Sequence, residues 1–135
     1  MTIPVVNQIG HVSIGSAFKP FVIAEISANH GGNLQAALDL VDIAGQAGAS
    51  AVKLQHYRPE TITTRSSLPE FKVGGGTLWD GRQLFDLYAE AMTPWEWTKE
   101  IFYRASEKGL ICFSSPFDTA AVDFLEEHNV VAYKV

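Results

Sequence analysis

A parallel α/β fold is predicted from three observations. Strand-like apolar segments alternate with helix-like segments along the chain, as in parallel sheets, where a crossover must return the chain to the same end of the sheet. The strand-like segments are nearly continuous in apolar residues, as strands covered on both faces are. Most connections between them are short.

The elements follow in order. "HVSIGSAFKP" at 11–20 has the makings of a small N-terminal hairpin. "FVIAEIS" (21–27) is the first parallel strand. "NLQAALDLVDIAGQAG" places Leu34, Ala37, Leu38, Val41 and Ala44 on one helical face, with Gly48 as a stop. "AVKLQHY" (51–57) is the second strand. The segment 58–80 is long, and the three glycines 74–76 exclude regular structure around them. "RQLFDLYAEA" (82–91) predicts a short helix, with Leu84, Leu87, Tyr88 and Ala91 in phase. "TPWEWTKEIFYRASEKG" (93–109) predicts a longer one: Thr93 as N-cap, Pro94 at the first position, Glu96 completing a capping box, Gly109 at the end. "LICFSS" (110–115) is the third strand, "DTAAVDFLEEHN" (118–129) the next helix and "VVAYKV" (130–135) the fourth strand. Right-handed crossovers give four parallel strands in the order 1-2-3-4, with the helices on the outer face.

Composition narrows the function. Nearly half of the 135 residues are apolar, which excludes a disordered chain. A net charge of −5 argues against nucleic acid or an anionic membrane as partner. No apolar run reaches the ~18 residues of a membrane span, and the N-terminus lacks the pattern of a signal peptide. Cys112 is the sole cysteine, so no internal disulfide forms, and a cytoplasmic location is expected. The glycines 74–76 do not make a dinucleotide fingerprint, and no phosphate-binding loop, nucleophile elbow or Cys–His metal box occurs.

Ligands of parallel α/β folds bind at the C-terminal ends of the strands. The unusual polar residues fall there: Glu25, then Asn29 and His30; Lys53, Gln55 and His56; Ser114 and Ser115; and Lys134. A lysine in an apolar strand is costly unless it meets an anion, and two of them suggest a shared phosphate or carboxylate ligand. Plainer readings stay open. As the lesser alternative, Glu25 is a structural ion-pair partner, with Lys53 and Lys134 paired to it alone. "ANHGGN" also fits simple turn chemistry. His30 lacks a second metal ligand at a recognisable spacing. His11 and His128 read as surface residues, Cys112 as a buried apolar thiol, and Trp79, Trp95 and Trp97 as packing. Position alone leads to half of an α/β barrel with an anion site, and names no reaction.

"FVIAEISANHGGN", "AVKLQHY", "FSSPFD" and "AYKV", in this order and spacing, resemble the strand signatures of the sialic-acid synthase family. "GTLWDGRQLFDLYAEAMTPWEWTKEIF" is most similar to its pseudaminic acid synthase branch. The resemblance runs from about residue 10 to residue 135. It implies the first half of a (βα)8 TIM barrel, so that residues 1–135 are a partial synthase domain without the second half or the small C-terminal antifreeze-like domain. It implies condensation of phosphoenolpyruvate with an N-acetylated amino sugar to give a nonulosonic acid and phosphate. Glu25 would act as acid or base or stabilise positive charge. Lys53 and Lys134 would hold phosphate and carboxylate, and Ser115 would offer its hydroxyl, with Ser114, Gln55 and Asn29 also binding substrate. Pro116 would end the strand and Asp118 or Thr119 cap the next helix. The resemblance also implies a divalent metal, manganese or magnesium, held by histidines beyond Val135 and by none in this chain, and a homodimer when full length. Synthesis of neuraminic or legionaminic acid is the alternative reaction. An inactive fragment, prone to associate, or a non-catalytic anion-binding half barrel is the alternative of another class.

Overall fold

A computed structural model describes residues 7–135. The chain opens with an antiparallel hairpin of β1 (Asn7–Ile9) and β2 (Val12–Ile14). The predicted hairpin thus lies further toward the N-terminus than 11–20. Gly10 decides this: its φ of 55° admits the tight two-residue turn between Ile9 and Val12.

The sheet that follows is parallel. It contains β3 (Ile23–Glu25), β4 (Ala51–His56) and β5 (Ile111–Pro116), in the order β3-β4-β5. Glu25 lies opposite Lys53, and Gln55 opposite Ser115. Helix α1 (Leu34–Gln46) connects β3 to β4 and buries Ala37, Leu38, Val41 and Ala44, as its periodicity predicts. Asn33 caps it, the side chain accepting from the Ala36 amide at 3.1 Å. Between β4 and β5 lie α2 (Pro59–Ile62), a 3-10 turn at Pro69–Phe71, α3 (Leu84–Ala91) and α4 (Thr98–Glu107). Helix α5 (Thr119–Glu127) follows β5. No helix among the described residues is long and apolar enough to cross a membrane.

Two expectations are corrected. The capping box at Thr93 does not form: Trp95–Trp97 is a 3-10 turn and the α-helix starts only at Thr98. The Thr93 hydroxyl instead meets His30 Nε2 at 3.2 Å. The fourth strand is reduced to one parallel bridge between Ser114 and Tyr133, with the Lys134 amide donating to the Ser114 carbonyl at 3.1 Å. The segment lies where the predicted order places it, but an edge segment has ladder bonds on one side only, and Val130 and Ala132 are held there by packing.

Because side chains alternate along a strand, the sheet has two distinct faces. Val52 and Leu54 pack under α1 and α4 with Ile101 and Ala105, forming the helix-side core. Ala51, Ile111 and Phe113 face the other way, covered at their N-terminal end by Ile9 and Val12 of the hairpin. This inner face carries Glu25, Lys53, Gln55 and Ser115 further along the strands.

Helix α5 is aimed by its cap. Asp118 accepts from the Ala121 amide at 2.7 Å, satisfying a donor that the first turn would leave unpaired. Asp118→Ala should cost ~1 kcal/mol in denaturant unfolding, and Asp118→Asn much less. Equal midpoints for all three proteins would show that the cap contributes nothing.

Candidate functional site

Lys53 is the centre of the inner face. It is only 7% exposed, since the surrounding strands cover its stem. Its Nζ lies 2.8 Å from Glu25 Oε1 in the adjacent strand, and the Glu25 side chain is 62% exposed. The hydrogen bond and charge of Lys53 hold the Glu25 carboxyl below its ordinary value, and the charge of Lys134 adds to the effect. Glu25 is therefore a carboxylate at neutral pH. It can accept a proton or stabilise positive charge, but has none to donate.

The ion pair with Glu25 thus exists, as one of the open readings held. It does not balance the cluster. Lys134 lies near enough to influence Glu25, is exposed, and makes no ion pair among the described residues. Glu25 is paired with Lys53, and Lys134 adds a positive charge in the same neighbourhood that no ion pair among the described residues neutralises. Ser115, buried, and Gln55, half-buried, adjoin this neighbourhood in register.

Ser114 is elsewhere. It projects from the opposite face, fully buried, and its Oγ lies 2.7 Å from His56 Nδ1. His56 Nε2 in turn meets Thr98 Oγ1 at 2.7 Å. These three groups tie β5, β4 and α4 together and leave Ser114 no access to a ligand beside Lys53. The signal was available: residues of one parity share a face, so Ser115 sides with Lys53 and Gln55 while Ser114 sides with His56.

Asn29 lies in the loop after β3, where its Nδ2 donates to the Ile26 carbonyl at 3.0 Å. The positive φ of Gly31 and Gly32 shapes that loop, and Nδ1 of His30 accepts from the Gly32 amide at 3.1 Å. His30 is buried, and that burial lowers its pKa. With both ring nitrogens engaged, its role here is to hold the loop. Among the described residues no group of three His, Cys, Asp or Glu side chains could hold a metal ion. These residues do not fit the expected metal.

Cys112 packs into the helix-side core, where burial pushes its thiol pKa up. Two expectations about aromatic residues change. His128 is half-buried, its ring 4.4 Å from that of Phe124, rather than a free surface residue. Trp97 packs on His30, and Trp95 donates to the Tyr57 carbonyl at 3.3 Å. Trp79 does not follow them: it is 48% exposed and lines a recess beside the loop after β3. Nothing in its sequence context distinguished it from the other two.

The same chain can be set beside known proteins. It is 45% identical over 128 residues to a pseudaminic acid synthase of Campylobacter jejuni, covering 95% of this chain and 36% of that one. To the pseudaminic acid synthase of Helicobacter pylori it is 41% identical over 86% of this chain and 34% of that one. An N,N'-diacetyllegionaminic acid synthase of Campylobacter jejuni is 30% identical over 87% of this chain and 35% of that one. The chain thus spans about a third of the length of these relatives. The crystal structure of an N-acetylneuraminic acid synthetase from Leptospira borgpetersenii, in complex with citrate, superposes with a TM-score of 0.78 at 26% identity, over 98% of this chain and 41% of that one. This likeness identifies the three-stranded sheet as an N-terminal part of the barrel. The sequence pattern of the NeuB family matches residues 40–135, which hold Lys53, Gln55, Ser115 and Lys134. With more than half of its length matched in this way, the chain belongs to the NeuB family.

Proposed function

We propose that this chain supplies the phosphoenolpyruvate-binding part of a nonulosonic acid synthase, which joins phosphoenolpyruvate to an N-acetylated amino sugar with release of phosphate. The observation that carries the proposal is the surplus positive charge of Lys53 and Lys134 around one carboxylate, at the C-terminal ends of parallel strands. A trianionic substrate suits that surplus. Pseudaminic acid is the favoured product, because identity to its synthases is 41–45% against 30–31% for the legionaminic acid synthases.

The chemistry follows from the groups in place. Lys53 and Lys134 orient phosphate and carboxylate and offset their charge. The methylene carbon of phosphoenolpyruvate attacks the aldehyde carbon of the open-chain sugar, whose oxygen takes a proton from solvent and becomes a hydroxyl, leaving positive charge on the adjacent carbon. The Glu25 carboxylate faces that charge and accepts a proton from the water that adds there. Phosphate then departs with cleavage of its C–O bond as the newly added hydroxyl loses its proton to solvent and becomes the carbonyl.

The test is phosphate release by the intact protein, supplied with manganese, phosphoenolpyruvate labelled at the bridging oxygen, and pseudaminic, legionaminic or neuraminic acid precursors in competition. Released phosphate should retain the label, and the pseudaminic acid precursor should be consumed first. No release with any of these sugars would overturn the synthase reading, and phosphoenolpyruvate binding without turnover would assign a binding module instead.

A further inference from the structure

Among the described residues, little backbone pairing holds Lys134 in place. Its segment, 130–135, meets the sheet through the bridge between Ser114 and Tyr133 and the hydrogen bond from the Lys134 amide to the Ser114 carbonyl. Lys53, by contrast, sits in a strand with ladder partners on both sides. Side-chain alternation still operates in the segment. Val130 and Ala132 pack on the inner-face cluster of Ala51, Ile111 and Phe113, so Lys134, of the same parity, belongs to that face. Tyr133 has the other parity and turns toward the helix side. There its hydroxyl donates to Oε1 of Glu126, in the last turn of α5.

The partner in this contact has a set position. Asp118 caps α5 at its start. At its end Asn129, with a φ of 54°, turns the chain out of the helix, and the Val130 amide donates back to the Leu125 carbonyl. Asparagine tolerates that left-handed backbone. Glu126 is thus fixed by both ends of its helix when residue 133 passes it. The hydrogen bond to Glu126 pushes the Tyr133 hydroxyl pKa up to about 12, so the phenol stays a donor and the carboxylate an acceptor at ordinary pH. Stability alone does not explain this clasp. The contact is exposed, water could serve either group, and the net gain in folding is small. Water cannot, however, fix the direction of residue 133, and through it that of the next residue along the chain.

We propose that Tyr133 is a positioning residue: clasped by Glu126 of α5, it holds Lys134 at the strand ends so that its ammonium meets the anionic substrate beside Lys53. The proposal rests on the phosphoenolpyruvate reading above for what Lys134 meets. It gives the two inner-face lysines different supports. Lys53 is fixed by the sheet itself, and Lys134 by a contact between its neighbour and an outer helix.

The experiment places Tyr133→Phe, Glu126→Ala and Glu126→Gln in the intact protein, and combines Tyr133→Phe with Lys134→Ala. Phosphoenolpyruvate affinity, a carbon-13 pH titration of the Glu25 carboxyl and the unfolding midpoint are measured for each. Tyr133→Phe and Glu126→Ala should weaken phosphoenolpyruvate binding by ~2–10-fold, the range that one hydrogen bond spans, and by no more than Lys134→Ala does. Glu126→Gln keeps an acceptor and should bind as the natural sequence does. In the Lys134→Ala background, Tyr133→Phe should change affinity no further, because the two act as one unit. The Glu25 carboxyl is held low chiefly by Lys53 and in part by Lys134. Its pKa should therefore rise in Tyr133→Phe, in the same direction as in Lys134→Ala. A bond that is merely structural would lower the midpoint and leave Glu25 where it was. A Glu25 titration unmoved by Tyr133→Phe overturns the proposal, and so does a loss of affinity that persists without Lys134. If the natural sequence does not bind phosphoenolpyruvate, the anion reading fails instead, and the Glu25 titration still decides whether Tyr133 holds Lys134.

Discussion

Lys53→Ala should weaken phosphoenolpyruvate binding by ~10–100-fold. A charge-assisted hydrogen bond contributes ~1.5–3 kcal/mol, and ~1.4 kcal/mol is a factor of ten. The upper part of that range applies to Lys53, because the ammonium sits at the end of a stem that the sheet has already removed from water. Lys134 is exposed, so solvent screens its charge, and Lys134→Ala should have the smaller effect. The partner left behind does not confuse the result. Glu25 is open to solvent and stays hydrated when its lysine is gone, so no buried charge is orphaned. Its carboxyl pKa should rise back toward the ordinary glutamate value, since the hydrogen bond and charge of Lys53 are the main causes that hold it low. Calorimetric titration with phosphoenolpyruvate tests the binding arm, and a carbon-13 pH titration of Glu25 tests the electrostatic arm. Unchanged affinity in Lys53→Ala would reduce the lysine to a structural ion pair.

The sequence made the inner-face lysines legible, because a charged residue inside an apolar strand is visible without coordinates. It also made the strand alternation legible, and through it the order β3-β4-β5. The buried face of helix α1 could be read closely: Ala37, Leu38, Val41 and Ala44 are buried as their spacing demands, and Leu34 is half-buried. The failures differ in origin. Thr93 has the right identity and spacing for a cap, yet it meets a histidine 63 residues earlier, a partner brought in by the fold that local rules cannot see. Ser114 is adjacent to Ser115 in sequence and on the opposite side of the sheet in space, beside His56, and strand alternation alone separates the two. The recess lined by residues 28, 79, 87 and 91 draws on a connection without regular periodicity, which gives no hint of what it will lie against.

The largest stability effect belongs to a residue outside the site. His56→Ala should destabilise the fold by ~3–5 kcal/mol, combining a cavity in the core with two hydroxyls left unpaired. His56 is fully buried between Ser114 and Thr98. A neutral imidazole donates through one nitrogen and accepts through the other, and a hydroxyl can answer either way. The network is therefore complete without charge. Protonation would not break it for lack of acceptors, since both hydroxyls could turn; the cost is burial of the charge. That burial, with the nearby His128 adding to it, lowers the His56 pKa from 6.5 to about 4. The sign follows. Between these values the unfolded chain binds a proton at His56 and the folded chain does not, so stability falls as pH drops from 6.5 toward 4. A shift of this size corresponds to ~3 kcal/mol. The buried His30 is lowered too and acts in the same direction. Denaturant unfolding at pH 7 and pH 4.5 should show the loss in the natural sequence. In His56→Gln, less stable at pH 7, the difference between the two pH values should shrink to what His30 and the carboxylates leave. An acid dependence as steep in His56→Gln as in the natural sequence would mean that this buried histidine is not what limits the fold at low pH.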